Sequence, residues 1–118
     1  MSYKGGSDEV EQDQAEIIKD IEKEVNDHKV LIYIKGTKEQ PMCGFSAATI
    51  GLFKAIGHPF ETVDILSHPN RRQFVPQYSN WPTFPQIYIK GEFIGGCDIM
   101  HELQEQGELK KIVDAAFE

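Results

Sequence analysis

Of the two cysteines in this chain of 118 residues, Cys43 is the one placed to react. It follows an apolar run, Val30-Leu31-Ile32-Tyr33-Ile34, that reads as a strand, and it precedes Gly44-Phe45-Ser46, which opens a predicted helix. At a helix start, unpaired backbone N–H groups and the positive end of the dipole favour a thiolate. The thiolate is the form that attacks disulfides and ligates metals. Gly44 lets a ligand approach the backbone closely. In the redox pattern C-x-x-C a second thiol follows three residues later, but here Ser46 holds that place. Chemistry can start at Cys43 but cannot be resolved within the motif, which points away from ordinary disulfide reduction. The plain alternative is a buried cysteine serving as a small hydrophobe, and the strand-to-helix junction argues against it.

Two further stretches are Trp81-Pro82-Thr83-Phe84-Pro85 and Gly95-Gly96-Cys97-Asp98. With Lys35, eight residues before Cys43, they resemble the monothiol glutaredoxins of the CGFS type. The resemblance covers about residues 16 to 117. It implies an α/β, thioredoxin-like (glutaredoxin) fold: a four-stranded mixed sheet flanked by about five helices. It also implies glutathione held by Lys35, Arg72, Phe84, Cys97 and Asp98. Lys35 matches the family lysine that contacts glutathione, and its charge would favour the thiolate. Arg71 and Arg72 are the only arginines. A guanidinium can grip both oxygens of a carboxylate; Arg72 matches the family position, and Arg71 is expected to be a solvated neighbour. Gln77 departs from the lysine of many relatives, which removes one charge contact. The family has a cis-proline at the place of Pro85, which would turn the Phe84 backbone toward the thiol to pair with a bound peptide. Asp98 reads as an N-cap or first-turn acid beside an anion-accepting helix start.

Some residues admit two roles. Phe45 is either a core aromatic or a lid. Cys97 is either a small structural residue or a partner that forms a disulfide with Cys43 on oxidation, the structural role being preferred. Trp81 is expected to pack and order its loop, and Ser46 to satisfy a first-turn N–H.

The elements that must position these residues follow from periodicity. Residues 1–14 form an acidic segment without apolar periodicity, expected to lack order; residues 15–118 form the domain. Ile17, Ile18, Ile21 and Val25 share a helical face over 15–26. A strand over 30–34, a loop over 35–42, a helix over 44–55 and a strand over 60–65 make a βαβ unit with parallel strands. A helix over 70–78 contains Pro76, which should distort it. Residues 86–90 and 93–94 flank Gly91-Glu92 as a hairpin. The remainder is helical, broken at Gly107.

Length gives one domain. The net charge of −7 is concentrated in residues 1–28, which hold nine acids and three lysines, so the rest is nearly neutral. No basic or aromatic-basic pattern argues for nucleic acid, and no apolar run approaches a membrane helix. Two distant cysteines do not make a secreted disulfide framework. A cytoplasmic location is expected, with an organelle open if a transit segment has been removed. The four histidines lack ligand spacing, so no zinc site is assigned.

A [2Fe–2S] cluster takes four sulfur ligands, and one chain offers one well-placed thiolate, Cys43. The resemblance implies a cluster bridging a homodimer, with two glutathiones supplying the other thiolates. It also implies a role in iron–sulfur cluster assembly or transfer, with iron–sulfur apoproteins and BolA-like proteins as partners. The alternative is a glutathione-dependent thiol–disulfide oxidoreductase acting on glutathionylated proteins.

Overall fold

The computed structural model describes residues 13–118. Of the acidic segment over 1–14, residues 1–12 lie outside the described residues, while Gln14, expected to lack order, already opens the first helix. The organising element is β1 (Val30–Ile34), whose five residues are all buried. Side chains alternate across a strand, so a strand with no polar face needs cover on both sides. Val30, Ile32 and Ile34 belong to one core, with Ile87, Ile89, Ile50, Phe53, Met100 and Val113. Leu31 and Tyr33 belong to the other, with Ile17, Ile21, Val25, Ile65, Val75 and Tyr88.

The helices sort accordingly. α1 (Gln14–Asp27) and α3 (Pro69–Ser79) cover the second face, while α2 (Gly44–Ile56), α4 (Cys97–Glu105) and α5 (Leu109–Ala116) cover the first. The strands β2 (Glu61–Asp64), β1, β3 (Gln86–Ile89) and β4 (Glu92–Gly95) lie in the spatial order β2-β1-β3-β4. β1 pairs parallel with β2, as the βαβ reading requires, and antiparallel with β3, which pairs antiparallel with β4. This is the expected four-stranded mixed sheet with five helices among the described residues.

Local signals place the helix ends. Gly57, at φ 95°, caps α2, and its N–H donates to the Phe53 carbonyl. Pro69 starts α3, where its missing N–H costs nothing. The helix runs through Pro76 to Ser79. The α-helical pattern would have the residue-76 N–H donate to the Arg72 carbonyl, so proline leaves that carbonyl without its helical partner.

Arg71 is not a solvated neighbour. Its side chain is 15% exposed, and Nε donates to Glu24 Oε1 at 3.0 Å. The Tyr33 hydroxyl donates to the same oxygen at 2.5 Å. One carboxylate therefore joins α1, β1 and α3. Burial is the main reason the Tyr33 hydroxyl is pushed far above its ordinary range, with Glu24's charge adding to it.

Phe53 is 2% exposed and packs against Phe60, with ring centroids 5.9 Å apart. Truncating such a side chain loses its transfer energy and leaves a cavity, so Phe53→Ala is expected to destabilise the fold by about 3–5 kcal/mol. Urea unfolding followed by circular dichroism checks this; a midpoint equal to the parent's would contradict it.

Candidate functional site

Cys43 sits where β1 has ended and α2 begins, with extended backbone (φ −150°, ψ 156°). Its sulfur is itself the helix cap: the Ser46 N–H donates to Sγ at 3.4 Å. The Ser46 hydroxyl lies 3.3 Å from Sγ and accepts from the Lys35 N–H at 3.2 Å. Ser46 is fully buried. Its role is thus larger than the expected first-turn contact, since its hydroxyl connects the end of β1 to the sulfur. Burial by itself would raise the Cys43 pKa. The hydrogen bonds from the Ser46 hydroxyl, the Ser46 and Phe45 amides and the charge of Lys35 outweigh burial, and the thiol is held below its ordinary value of 9.0.

A cavity of about 570 Å³ adjoins this thiol, and its lining includes the cations Lys35 and Arg72 together with Cys97 and Asp98. Its size falls in the range of small-ligand clefts. Phe84 and Phe45 line it too. Five of the six expected site residues thus surround one space. Cys43 is not one of its walls; it adjoins through Phe45 and through the field of Lys35. Phe45 is 65% exposed and is no core residue. Among the described residues neither Lys35 nor Arg72 pairs with a carboxylate, and Asp98 pairs with no base.

The Phe84–Pro85 bond is cis, and among the described residues no hydrogen bond engages the Phe84 main chain. Trp81 packs on Phe93 at 5.6 Å and also lines the cavity. Gly96 caps α4, with Cys97 and Asp98 in the first turn, so Asp98 is a first-turn acid rather than the cap. A Cβ on Gly96 would lie 3.3 Å from both the Pro85 carbonyl and Trp81 Nε1. Cys97 is 9% exposed, and both cysteines are free thiols. Gln77 stays outside the cavity and accepts from Gln14 at 2.9 Å.

One contributor escaped the sequence reading. Gln86 is fully buried in β3; its Nε2 donates to the carbonyls of Trp81 (2.8 Å) and Thr83 (3.2 Å), and the Tyr88 hydroxyl donates to its Oε1 at 3.0 Å. It holds the loop that carries Phe84. A glutamine at the head of an apolar strand is the signal, since a buried amide must be hydrogen-bonded.

A thiolate beside a cleft with free cations and a free acid can hold a small zwitterion with more than one carboxylate next to a nucleophilic sulfur. Among the described residues no three His, Cys, Asp or Glu side chains converge as a metal-binding group, and no helix is long and apolar enough to cross a membrane.

The four-stranded mixed sheet with helices on both faces, and a reactive thiol at the start of the helix that follows its first strand, define a thioredoxin-like protein. The sequence pattern of the glutaredoxin family matches residues 30–94. Glutaredoxin 4 of Buchnera aphidicola is 50% identical over 100 residues, covering 85% of this chain and 94% of that one. Monothiol glutaredoxin-S14, chloroplastic, of Arabidopsis thaliana is 51% identical over 97 residues, 82% of this chain and 56% of that one. The chain belongs to the glutaredoxin family, in its monothiol branch. In three dimensions it is similar to buckwheat glutaredoxin, solved as a complex with glutathione, at a TM-score of 0.77 and 21% identity over 87% of this chain and 92% of that one.

The thiolate depends on Ser46. Ser46→Ala removes a donor to the charged sulfur, so the Cys43 pKa is expected to rise. Less thiolate is then present at pH 7, and alkylation by iodoacetamide slows. The pH profile of alkylation checks this, and an unmoved midpoint would refute the role of the hydroxyl.

Proposed function

We propose that this chain binds glutathione beside Cys43 and carries a [2Fe–2S] cluster between two copies of itself, for iron–sulfur cluster assembly or transfer. The observation that carries the reading is the pairing of one activated thiolate with a cavity whose charged groups are unspent. Glutathione has two carboxylates and one ammonium. Lys35 and Arg72 suit the carboxylates, Asp98 suits the ammonium, and the free main chain of Phe84 suits the peptide. Buckwheat glutaredoxin, which shares the fold, is known as a glutathione complex.

The cluster is cargo, and a single chain is a poor cage for it. It takes four sulfur ligands. Cys97 is buried, so one chain offers Cys43 alone. Two chains with two glutathione thiols complete the number. Met42 and Phe45, 63% and 65% exposed, flank Cys43 and give a second copy an apolar surface to meet. Ligands that are not all covalently part of one chain suit release to iron–sulfur apoproteins, and BolA-like proteins are proposed as further partners. Two free thiols suit a reducing compartment such as the cytoplasm.

The lowered pKa of Cys43 equally favours a second reading, a thiol–disulfide oxidoreductase. There the thiolate attacks the glutathione sulfur of a glutathionylated protein and expels that protein's thiolate. A second glutathione thiolate then attacks the new Cys43 disulfide, releasing glutathione disulfide and restoring Cys43. Anaerobic reconstitution with iron, sulfide and glutathione separates the two. A cluster carrier gains visible absorption and doubles in mass; an oxidoreductase stays a colourless monomer.

Cys43→Ser is expected to abolish both cluster binding and thiol transfer while leaving the fold intact; a variant that still assembles a glutathione-dependent cluster would sink the assignment. Arg72→Ala is expected to weaken glutathione binding about tenfold, roughly 1.4 kcal/mol. Arg71→Ala is expected to spare affinity and to lower stability, because its partner is Glu24. Calorimetric titration and thermal unfolding of both variants check this, and a larger loss of affinity at Arg71 would reverse the two roles.

A further inference from the structure

Asp64 ends β2 and lines no part of the cavity, yet both cationic arms of the site lead back to it. Its Oδ1 accepts from the Gly36 N–H and from the Leu66 N–H, each at 2.9 Å. Its Oδ2 accepts from the Ser67 hydroxyl at 2.9 Å, and its main-chain carbonyl faces His68 Nδ1 at 2.9 Å. Gly36 directly follows Lys35. The parallel ladder ends with Ile34 beside Asp64 and a last bond from the Ile65 N–H to the Ile34 carbonyl. Beyond it the Gly36 amide has no strand partner, and the carboxylate takes that place.

On the other side, Leu66-Ser67-His68 is the entry to α3. The His68 carbonyl accepts from the Arg71 and Arg72 N–H groups at 3.0 and 3.1 Å. The loop that starts at Lys35 is closed at its base by the Met42 N–H on the Lys35 carbonyl at 2.8 Å. It is tight at Gly36, where a Cβ would come within 2.6 Å of the Gln40 carbonyl and the Met42 nitrogen. Such a loop is braced within itself, and the side chain that joins it to the segment entering α3 is Asp64.

We propose that Asp64 is a positioning residue that sets the separation of Lys35 and Arg72, and so the spacing of the carboxylates the cavity accepts. The inference rests on the reading of the cavity as a glutathione site. Burial would raise the Asp64 pKa, but the bonds from Gly36, Leu66 and Ser67 hold it below the ordinary range, so the tether is charged at neutral pH.

The test compares Asp64→Ala with Asp64→Asn in the full chain. The asparagine oxygen still accepts from both amides; alanine accepts from neither. Asp64→Ala is expected to weaken glutathione binding about tenfold in calorimetry, and Asp64→Asn by about threefold or less. The alkylation pH profile of Cys43 gives a second readout that needs no glutathione. Both substitutions remove the same negative charge, so the direct field effect is common to them. A displaced Lys35 stabilises the thiolate less, so the midpoint for Asp64→Ala is expected above that for Asp64→Asn. In a Lys35→Ala background the difference should vanish, as it would not for a general loss of stability. Should the alanine chain fail to fold, Asp64→Ser, whose short side chain cannot span both amides, takes its place. Coincident profiles, or a difference that survives without Lys35, overturn the proposal. A parent chain that binds no glutathione overturns the reading of the cavity, and the profiles still decide the role of Asp64.

Discussion

The Ser46 hydroxyl stands at the junction on which the site is built. It accepts from the Lys35 N–H at the end of β1 and faces the Cys43 sulfur at the start of α2. Strand end, helix start and nucleophile are thereby fixed to one buried oxygen. The sulfur completes the arrangement by capping its own helix. A second thiol at this position would replace a small, strong hydrogen-bonding group with a larger and weaker one. Serine is therefore more than the absence of a resolving cysteine.

This junction is only as rigid as the sheet behind it. β1 buries every side chain and is gripped by a core on each face. The second face adds a polar lock, in which Glu24 holds the Tyr33 hydroxyl and Arg71 together. Arg71 and Arg72 are neighbours in sequence with opposite duties. One turns inward and fastens α3 to α1, and the other lines the cavity with no carboxylate partner among the described residues. The same helix is secured from within so that its exposed side can present a charge.

Much of this was legible in the residues. The unbroken apolar run at 30–34 and the hairpin around Gly91 gave much of the element order, and the motifs, with the family positions of Lys35 and Arg72, gave the residues around the cavity. What was not legible depends on pairing across the fold. Arg71 meets Glu24 47 positions away, and Gly36 meets Asp64 28 positions away. Neither pairing has a local signature, because each exists only once β2 lies beside β1 and α3 beside α1. Phe45 shows the same limit from the other side. Its place in a helix is readable, but whether a helical aromatic faces core or solvent depends on which stripe the sheet takes.

Gly96 has no side chain, so α4 can begin directly against the Pro85 carbonyl and the Trp81 ring, while Gln86 pins the loop between them through the Trp81 and Thr83 carbonyls. The wall of the cavity formed by Phe84, Cys97 and Asp98 is therefore assembled before any ligand arrives. Ordering a loop on binding diverts part of the gross interaction energy; a wall already ordered diverts little. Recognition at this corner is accordingly by fit to a preset shape, and the modest number of charged groups in the cavity can suffice for a small ligand.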